Sequence, residues 1–306
     1  MRELIKEKTA HGIVSTNEVQ AKEAGARSSV VLKKIVIDLH KFFQENGKQK
    51  AIIGISGGID SAVCAYLCCK ALGSDNVRGF AMPSKYSSKG SVIDAEKLAD
   101  SLGFTLFEFP IKDLDRMYRN EFAHLFIANP LQTEEATQSG CDIAYENIQA
   151  RIRGNILMSY ANMIDGLVIE TSNKTEALMG YCTLYGDTCG AISPLGDIYK
   201  TELYYLVKEF INKDYEIIPQ DIVDKEPSAE LRPDQEDKDD LPASYEVLDA
   251  ILIAYYEENV KLHAIQRMMS AVLLDPGLPV NIINQTAKMS FKRRQSPPAI
   301  NICHEF

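Results

Sequence analysis

The sequence predicts an α/β fold: a doubly wound parallel sheet with a small helical C-terminal extension. Three observations carry this expectation. A short apolar run of the kind that suits a strand buried on both faces stands first, and three further short strand-like segments follow it. Segments with helical hydrophobic spacing separate them. A glycine-rich turn follows the first run directly and opens the next helix. Strands alternating with helices imply a parallel sheet covered on both faces. Right-handed crossovers then place the strand C-terminal ends along one edge, where ligands of open sheets bind.

Residues 1–28 are polar and weakly patterned, a tail or loose helix ahead of a domain over 29–306. From Ser29 to Glu45, Val31, Leu32, Ile35, Val36, Leu39, Phe42 and Phe43 fall at helical spacing. Residues 51–55 form a β-branched run that reads as the first strand, with a helix over 61–72. Residues 77–82 read as the second strand, and 89–102 as a helix closed by Gly103. Residues 104–109 alternate as a third strand, and 166–170 make the fourth. Long helices near 113–127 and 141–163 fill the gap between those two. Residues 219–244 hold Pro219, Pro227, Pro233 and Pro242 among many charges, which predicts a loop. The extension, 245–306, carries helices at about 245–258 and 260–269, then a basic Lys292-Arg293-Arg294 ending in a proline break.

Composition narrows the function classes. Of 306 residues, 45% are hydrophobic and 25% charged, which excludes a disordered or fibrous chain. No apolar run approaches the roughly 18 residues of a membrane-spanning helix, and the charged start Met1–Lys8 lacks a secretory signal. Seven cysteines without a Cys-x-x-Cys pair argue against a disulfide framework or a zinc site. Free thiols in a reducing cytoplasm are the expectation. The net charge of −10 argues against a nucleic-acid partner. Nine acids against three bases between residues 220 and 240 account for −6 of that charge, so the rest of the chain is near neutral and compatible with an anionic ligand.

The chemistry concentrates after the first strand. Gly54 and Ile55 lead into Ser56-Gly57-Gly58-Ile59-Asp60-Ser61. Adjacent glycines let successive N–H groups point at one anion, and the helix start adds free donors and a positive dipole end. Ser56 and Ser61 supply hydroxyls, and Asp60 supplies a hard oxygen for Mg²⁺. A plain strand-to-helix turn is the bland alternative. The loop resembles that of the N-type ATP pyrophosphatases, whose fold is adenine nucleotide alpha-hydrolase-like. That resemblance implies cleavage of ATP to AMP and pyrophosphate while a substrate oxygen is adenylated.

A second stretch, Glu170-Thr171-Ser172-Asn173-Lys174-Thr175-Glu176, closes the fourth strand, followed by Gly180–Asp187 and Asp197–Thr201. It delivers a hydroxyl (Thr171) and a carboxylate (Glu176) to the same edge, and Lys200 arrives to neutralise phosphate charge. Asp60 and Glu176 could hold one Mg²⁺ between phosphate oxygens. A solvated helix N-terminus is the alternative for this segment. Together with Gln149–Arg153, Pro227–Pro233 and Lys292–Arg294, these motifs resemble NAD synthetase over about residues 29–298. The resemblance implies a homodimer with 113–163 at the interface. It implies amidation of deamido-NAD by ammonia through an acyl-adenylate, giving NAD, AMP and pyrophosphate. It also implies ATP contacts at residues 54–61, Thr171, Lys200 and Ser228, with Mg²⁺ on Asp60 and Glu176. Deamido-NAD would meet Asn147, Arg151, Leu184, Phe291 and Lys292.

Asp187 is a candidate proton acceptor from incoming ammonium, or a structural turn carboxylate. Leu184 and Ala191 stand where ammonia-using members usually carry a lysine and an aspartate. Arg232-Pro233-Asp234-Gln235 reads like the synthetase half of glutamine-fed members. Those members carry a nitrilase-like glutaminase domain ahead, and only residues 1–55 precede the loop here. Free ammonia, or a separate ammonia-supplying protein, is the expected nitrogen source. Cys64, Cys68 and Cys69 read as core packing. Rival readings are a GMP synthetase-like or tRNA-modifying adenylating enzyme, or an inactive nucleotide-binding regulator. Intact Asp60, Glu176 and Lys200 weigh against the last.

Overall fold

The structure is a computed structural model that describes residues 17–128, 138–271 and 274–302. Its centre is a parallel sheet in the order β3-β2-β1-β4. These strands are β1 (Ala51–Gly54), β2 (Val77–Ala81), β3 (Thr105–Glu108) and β4 (Leu167–Val168). Ala51 stands opposite both Val77 and Leu167, and Arg78 opposite Thr105. The strands coincide with the four segments the pattern predicts; β1, central and without a polar face, is buried between the helical layers, whereas β3 at the sheet edge alternates and is largely exposed.

One layer is α1 (Asn17–Glu45), α2 (Ile59–Leu72) and α3 (Lys89–Leu102). Ile35, Leu39 and Phe43 of α1, Val63 and Leu67 of α2, and Leu98 of α3 pack with Ile53 and Ile55. α4 (Lys112–Ala128) and α5 (Gln138–Met163) lead to β4, and α5 covers the opposite face. There Ile148, Ile152 and Leu157 of α5 pack on Ile52, Phe80 and Val168. The sheet is therefore covered on both faces, as the alternating pattern predicted. The side of it that α2 and α3 cover is left by the chain at β3, and α5 returns it on the other side to β4. β1 and β4 thus flank the point where the winding reverses, and residues beyond their C-terminal ends share one crevice.

After β4 come α6 (Lys174–Met179), α7 (Lys200–Leu206) with a wider π turn over 207–211, α8 (Gln220–Asp224) and α9 (Asp237–Asp240). The extension is α10 (Tyr245–Tyr256), α11 (Leu262–Ala271), α12 (Leu278–Lys288) and α13 (Ser290–Arg293). Its core, Leu248, Ile251, Leu252, Ile265, Met269 and Ile282, includes Met179 and Tyr199 from α6 and the start of α7. The extension is consequently packed against the elements that leave the sheet edge.

Several boundaries differ from the sequence reading. α1 begins at Asn17 rather than Ser29; residues 1–16 lie outside the described residues. The proline-rich stretch 219–244 contains α8 and α9, which are short enough to fit between prolines. α12 and α13 were not anticipated, although Pro279 sits in the first turn of α12, where a missing N–H costs nothing. Among the described residues no helix is long and apolar enough to cross a membrane. Cys64 and Cys68 are buried free thiols, pushed up in pKa chiefly by burial.

Candidate active site

The loop after β1 is held in shape by its own serines. The Ser56 N–H donates to Ser61 Oγ at 3.3 Å, the Gly58 N–H to Ser56 Oγ at 3.2 Å, and the Ser61 hydroxyl to the Gly58 carbonyl at 3.0 Å. Gly57 sits at φ +77°, and a Cβ there would stand 2.5 Å from the Ser91 carbonyl oxygen. Only glycine combines that backbone with that closeness. α2 begins at Ile59, so Asp60 lies in its first turn.

Across the crevice, α6 starts with a capping box. Asn173 Oδ1 accepts the Glu176 N–H at 3.0 Å, and Glu176 Oε2 accepts the Asn173 N–H at 3.3 Å. The Asn173 amide also donates to Asp60 Oδ1 at 2.7 Å, which joins α6 to α2. Lys200, the first residue of α7, is buried and donates to Asp60 Oδ2 at 2.5 Å and to Glu176 Oε1 at 3.5 Å. Two carboxylates therefore face one ammonium. Burial, then the Asp60 charge, pushes the Glu176 carboxyl up to about 8. Burial works against the Lys200 charge, but Asp60 and Glu176 outweigh it and hold the ammonium protonated.

This cluster opens into a cavity of about 290 Å³. Residues 54–61, Thr171, Glu176, Asp187, Lys200 and Ser228 all line it. The structure thus brings together the entire predicted nucleotide-and-metal set. Ser228 donates to the Gln235 carbonyl at 2.5 Å and accepts the Glu230 N–H at 3.1 Å, so this part of the acidic stretch is a folded wall. Asp187 lines the cavity with its side chain accessible and accepts the Thr183 N–H at 2.6 Å; desolvation by the surrounding protein raises its carboxyl to about 6.

The five residues expected to meet the second substrate do not line that cavity. Four gather round the neighbouring loop. Thr183 donates to Asn147 Oδ1 at 2.6 Å, Arg151 Nε to the Leu184 carbonyl at 3.2 Å, and Lys292 Nζ to the carbonyls of Gly180 and Cys182 at 2.8 and 2.6 Å. Phe291 is exposed. Asp187 ties this loop to the cavity.

Sequence reasoning missed three participants. Asn173 was quoted but given no role, although an Asn three residues before a Glu is itself a capping signal. Arg153 lines the cavity wall and donates to the Met82 carbonyl at 3.0 Å, with burial lowering its pKa to about 10. Asp249, far away in sequence, carried no local signal at all.

A parallel sheet with a serine-braced glycine loop, a lysine and two carboxylates gathered at its switch point defines an α/β protein with a candidate anion site at its sheet edge. Residues 31–296 match the NAD synthase family, and the chain belongs to it. It is 43% identical over 265 residues to the glutamine-dependent NAD(+) synthetase of Aquifex aeolicus, covering 85% of this chain and 43% of that one. It is 36% identical over 299 residues to the enzyme of the same name from Thermotoga maritima, covering 97% and 48%. The chain spans less than half the length of these relatives. Among solved structures it resembles the NH3-dependent NAD synthetase of Campylobacter jejuni, at 29% identity and TM-score 0.65 over 87% of this chain and 96% of that one. The NMN synthetase of Francisella tularensis is similar at 26% identity and TM-score 0.67, over 87% and 95%.

Proposed function

We propose that this chain is a carbon–nitrogen ligase that amidates deamido-NAD, using ATP and ammonia. The observation that carries the reading is the convergence of Asp60, Glu176 and Lys200 with the loop 56–61 in one cavity. Family membership and the relatives' names supply the substrate class.

The residues present fit magnesium. Two hard oxygen donors share a half-buried site beside Lys200. Burial, then the Asp60 charge, raises the Glu176 carboxyl, a balance that a bound cation would reverse by favouring the carboxylate. Mg²⁺ is commonly held by one or two carboxylates with substrate phosphates and water completing its shell. Asp60 and Glu176 would hold it. When bound, it supplies charge neutralisation on the pyrophosphate leaving group.

The chain's own work is positioning and electrostatics. N–H groups of the loop and the start of α2 orient the β- and γ-phosphates. Lys200 stabilises charge developing on the phosphoryl group as the nicotinate carboxylate attacks the α-phosphorus. Ser228 and its wall shield the adenylate from water. Asp187, with its carboxyl near 6, accepts a proton from the incoming nitrogen nucleophile. Asn147, Arg151, Leu184, Phe291 and Lys292 orient the acid through the adjoining loop.

The nitrogen donor for this domain is ammonia, free or delivered by a glutamine-hydrolysing unit. Incubation with ATP, Mg²⁺ and deamido-NAD, with ammonium or glutamine as donor, tests this by the NAD and AMP formed. AMP without NAD would overturn it. The likeness to the Francisella NMN synthetase favours a second reading, in which the acid is the mononucleotide; offering both acids to the same assay separates them. Exposed apolar Met117, Tyr118 and Phe122 on α4, with Ile143 and Met158 on α5, support a homodimer through these helices. Light scattering of the purified chain checks the mass.

A further inference from the structure

Asp249 lies in the middle of α10, in the helical extension, and is buried to 1% exposure. A carboxylate so deep in an apolar helix costs free energy unless fully hydrogen-bonded, and here every bond goes to the site elements. The Thr175 hydroxyl donates to its Oδ1 at 2.5 Å. The Thr201 N–H and hydroxyl both donate to its Oδ2 at 2.8 Å. Thr175 in turn accepts the Lys200 N–H at 3.0 Å. Thr175 precedes Glu176 in the chain, and Thr201 follows Lys200. One carboxylate therefore fixes the first turns of α6 and α7 relative to each other.

The same helix holds the pair at two further points. At its start, the Tyr245 ring lies 5.2 Å from Lys200 Nζ, and its hydroxyl donates to Asp237 at 2.7 Å. Just past its end, Glu257 accepts from Tyr199 at 2.8 Å and pairs with Lys174 at 2.8 Å. Lys174 and Tyr199 are the neighbours of the same two turns.

We infer that Asp249 is a positioning residue for the adenylation step, holding Lys200 and Glu176 in register from the C-terminal extension. This rests on the role proposed for Lys200 and Glu176. Asp249 touches no substrate. It acts through the backbone of Thr201 and the hydroxyl of Thr175, so its loss should be felt where those two charged groups act on the transition state. It also gives the extension a function: α10 is the back wall against which the catalytic turns are aligned.

The test is pyrophosphate release from Mg-ATP and the acid substrate, followed at steady state with ATP varied and with enough enzyme that slow variants stay measurable. In Asp249→Asn, one of the two oxygens becomes an amide donor facing a hydroxyl or N–H that is itself a donor, while size is kept. The expected result is a kcat about 30-fold lower with KM for ATP changed less than about threefold, because misplacement of a catalytic group by a fraction of an ångström acts on rate. Placed on a Lys200→Ala background, the same substitution should lower the rate by no more than about twofold, since the register it holds between Lys200 and Glu176 has lost one of its two members. Full multiplicative loss on that background, or an unchanged kcat in Asp249→Asn, overturns the inference. If Asp249→Asn does not fold, Thr201→Val removes one of the four bonds and leaves the carboxylate; about fivefold lower kcat, again absent on the Lys200→Ala background, is expected, and an unchanged kcat overturns it. A wild-type chain that releases no pyrophosphate with any nicotinate acid defeats the proposed function instead, so the two failures are separate.

Discussion

Lys200 Nζ, delivered by α7, lies 2.5 Å from Asp60 Oδ2, delivered by α2, and this contact spans the point where the sheet reverses its winding. The two residues are 140 positions apart in the chain. Their meeting depends on β1 and β4 being neighbours. Converting Asp60 to Asn keeps an acceptor for the Asn173 amide and leaves Lys200 its second partner, Glu176. The expected outcome is a thermal midpoint near wild type with adenylation reduced about 100-fold or more. Lys200→Ala behaves differently: it leaves two half-buried carboxylates without their shared cation and should also destabilise the fold by about 2 kcal/mol. Pyrophosphate release and thermal unfolding on the two variants check the contrast.

Gly57→Ala should damage both shape and activity. The left-handed φ of +77° strains any L side chain, and the new Cβ would meet backbone of α3 rather than a movable side chain. A loss of about 2 kcal/mol is expected, with ATP affinity weakened because the loop must shift away from Ser91. Chemical denaturation and ATP titration read the two effects. A wild-type denaturation curve would show that the loop has slack which the 2.5 Å approach denies.

Glu170, at the end of β4, is buried and raised by desolvation from its ordinary 4.5 to about 7, against hydrogen bonds from Ser172 and Ser193 that lower it. Its proton is bound more tightly in the folded chain than in the unfolded one. Its contribution to stability is therefore complete below about pH 4.5 and is lost as pH rises to about 7. Glu170→Gln, which is neutral throughout, should flatten this part of the stability profile. Urea unfolding at pH 5, 6 and 7 measures the slope, and an unchanged slope in the variant would remove Glu170 from the account.

β1 was legible because it is a short run with no polar face, β3 because polar and apolar residues alternate in it, and the loop 56–61 because its adjacent glycines and hydroxyls suit an anion. Glu176 and Lys200 were legible as residue types at a strand end and a helix start. Asp249 was not, since a lone Asp inside an apolar helix reads as an interruption until Thr175 and Thr201 are seen to surround it. The acidic stretch misled for a related reason. Four prolines and many charges describe a surface loop locally, but its order comes from distant partners. Arg232 pairs with Asp240 at 2.7 Å and Glu146 at 3.5 Å, and the Gln149 amide donates to the Leu231 carbonyl at 2.9 Å.

Those partners make the wall over the cavity testable at Glu230. Its carboxylate accepts from the Ser91 hydroxyl at 2.6 Å and the Ser88 N–H at 3.3 Å, and Lys225 Nζ reaches the same Ser91 hydroxyl at 2.6 Å. Residues 225–231 are thereby fastened to the start of α3, which also abuts Gly57 of the anion loop. Glu230 itself sits at φ +48°, a conformation worth keeping only if the side chain is used. Glu230→Ala removes both anchors without touching Asp60, Glu176 or Lys200. The wall should then open more readily, raising KM for ATP about fivefold while kcat changes less than twofold, since the loss is of ligand enclosure rather than of transition-state charge. Steady-state kinetics in ATP decide the matter. A fall in kcat at constant KM would mean that Glu230 acts on the reacting groups and that the wall is not what it holds.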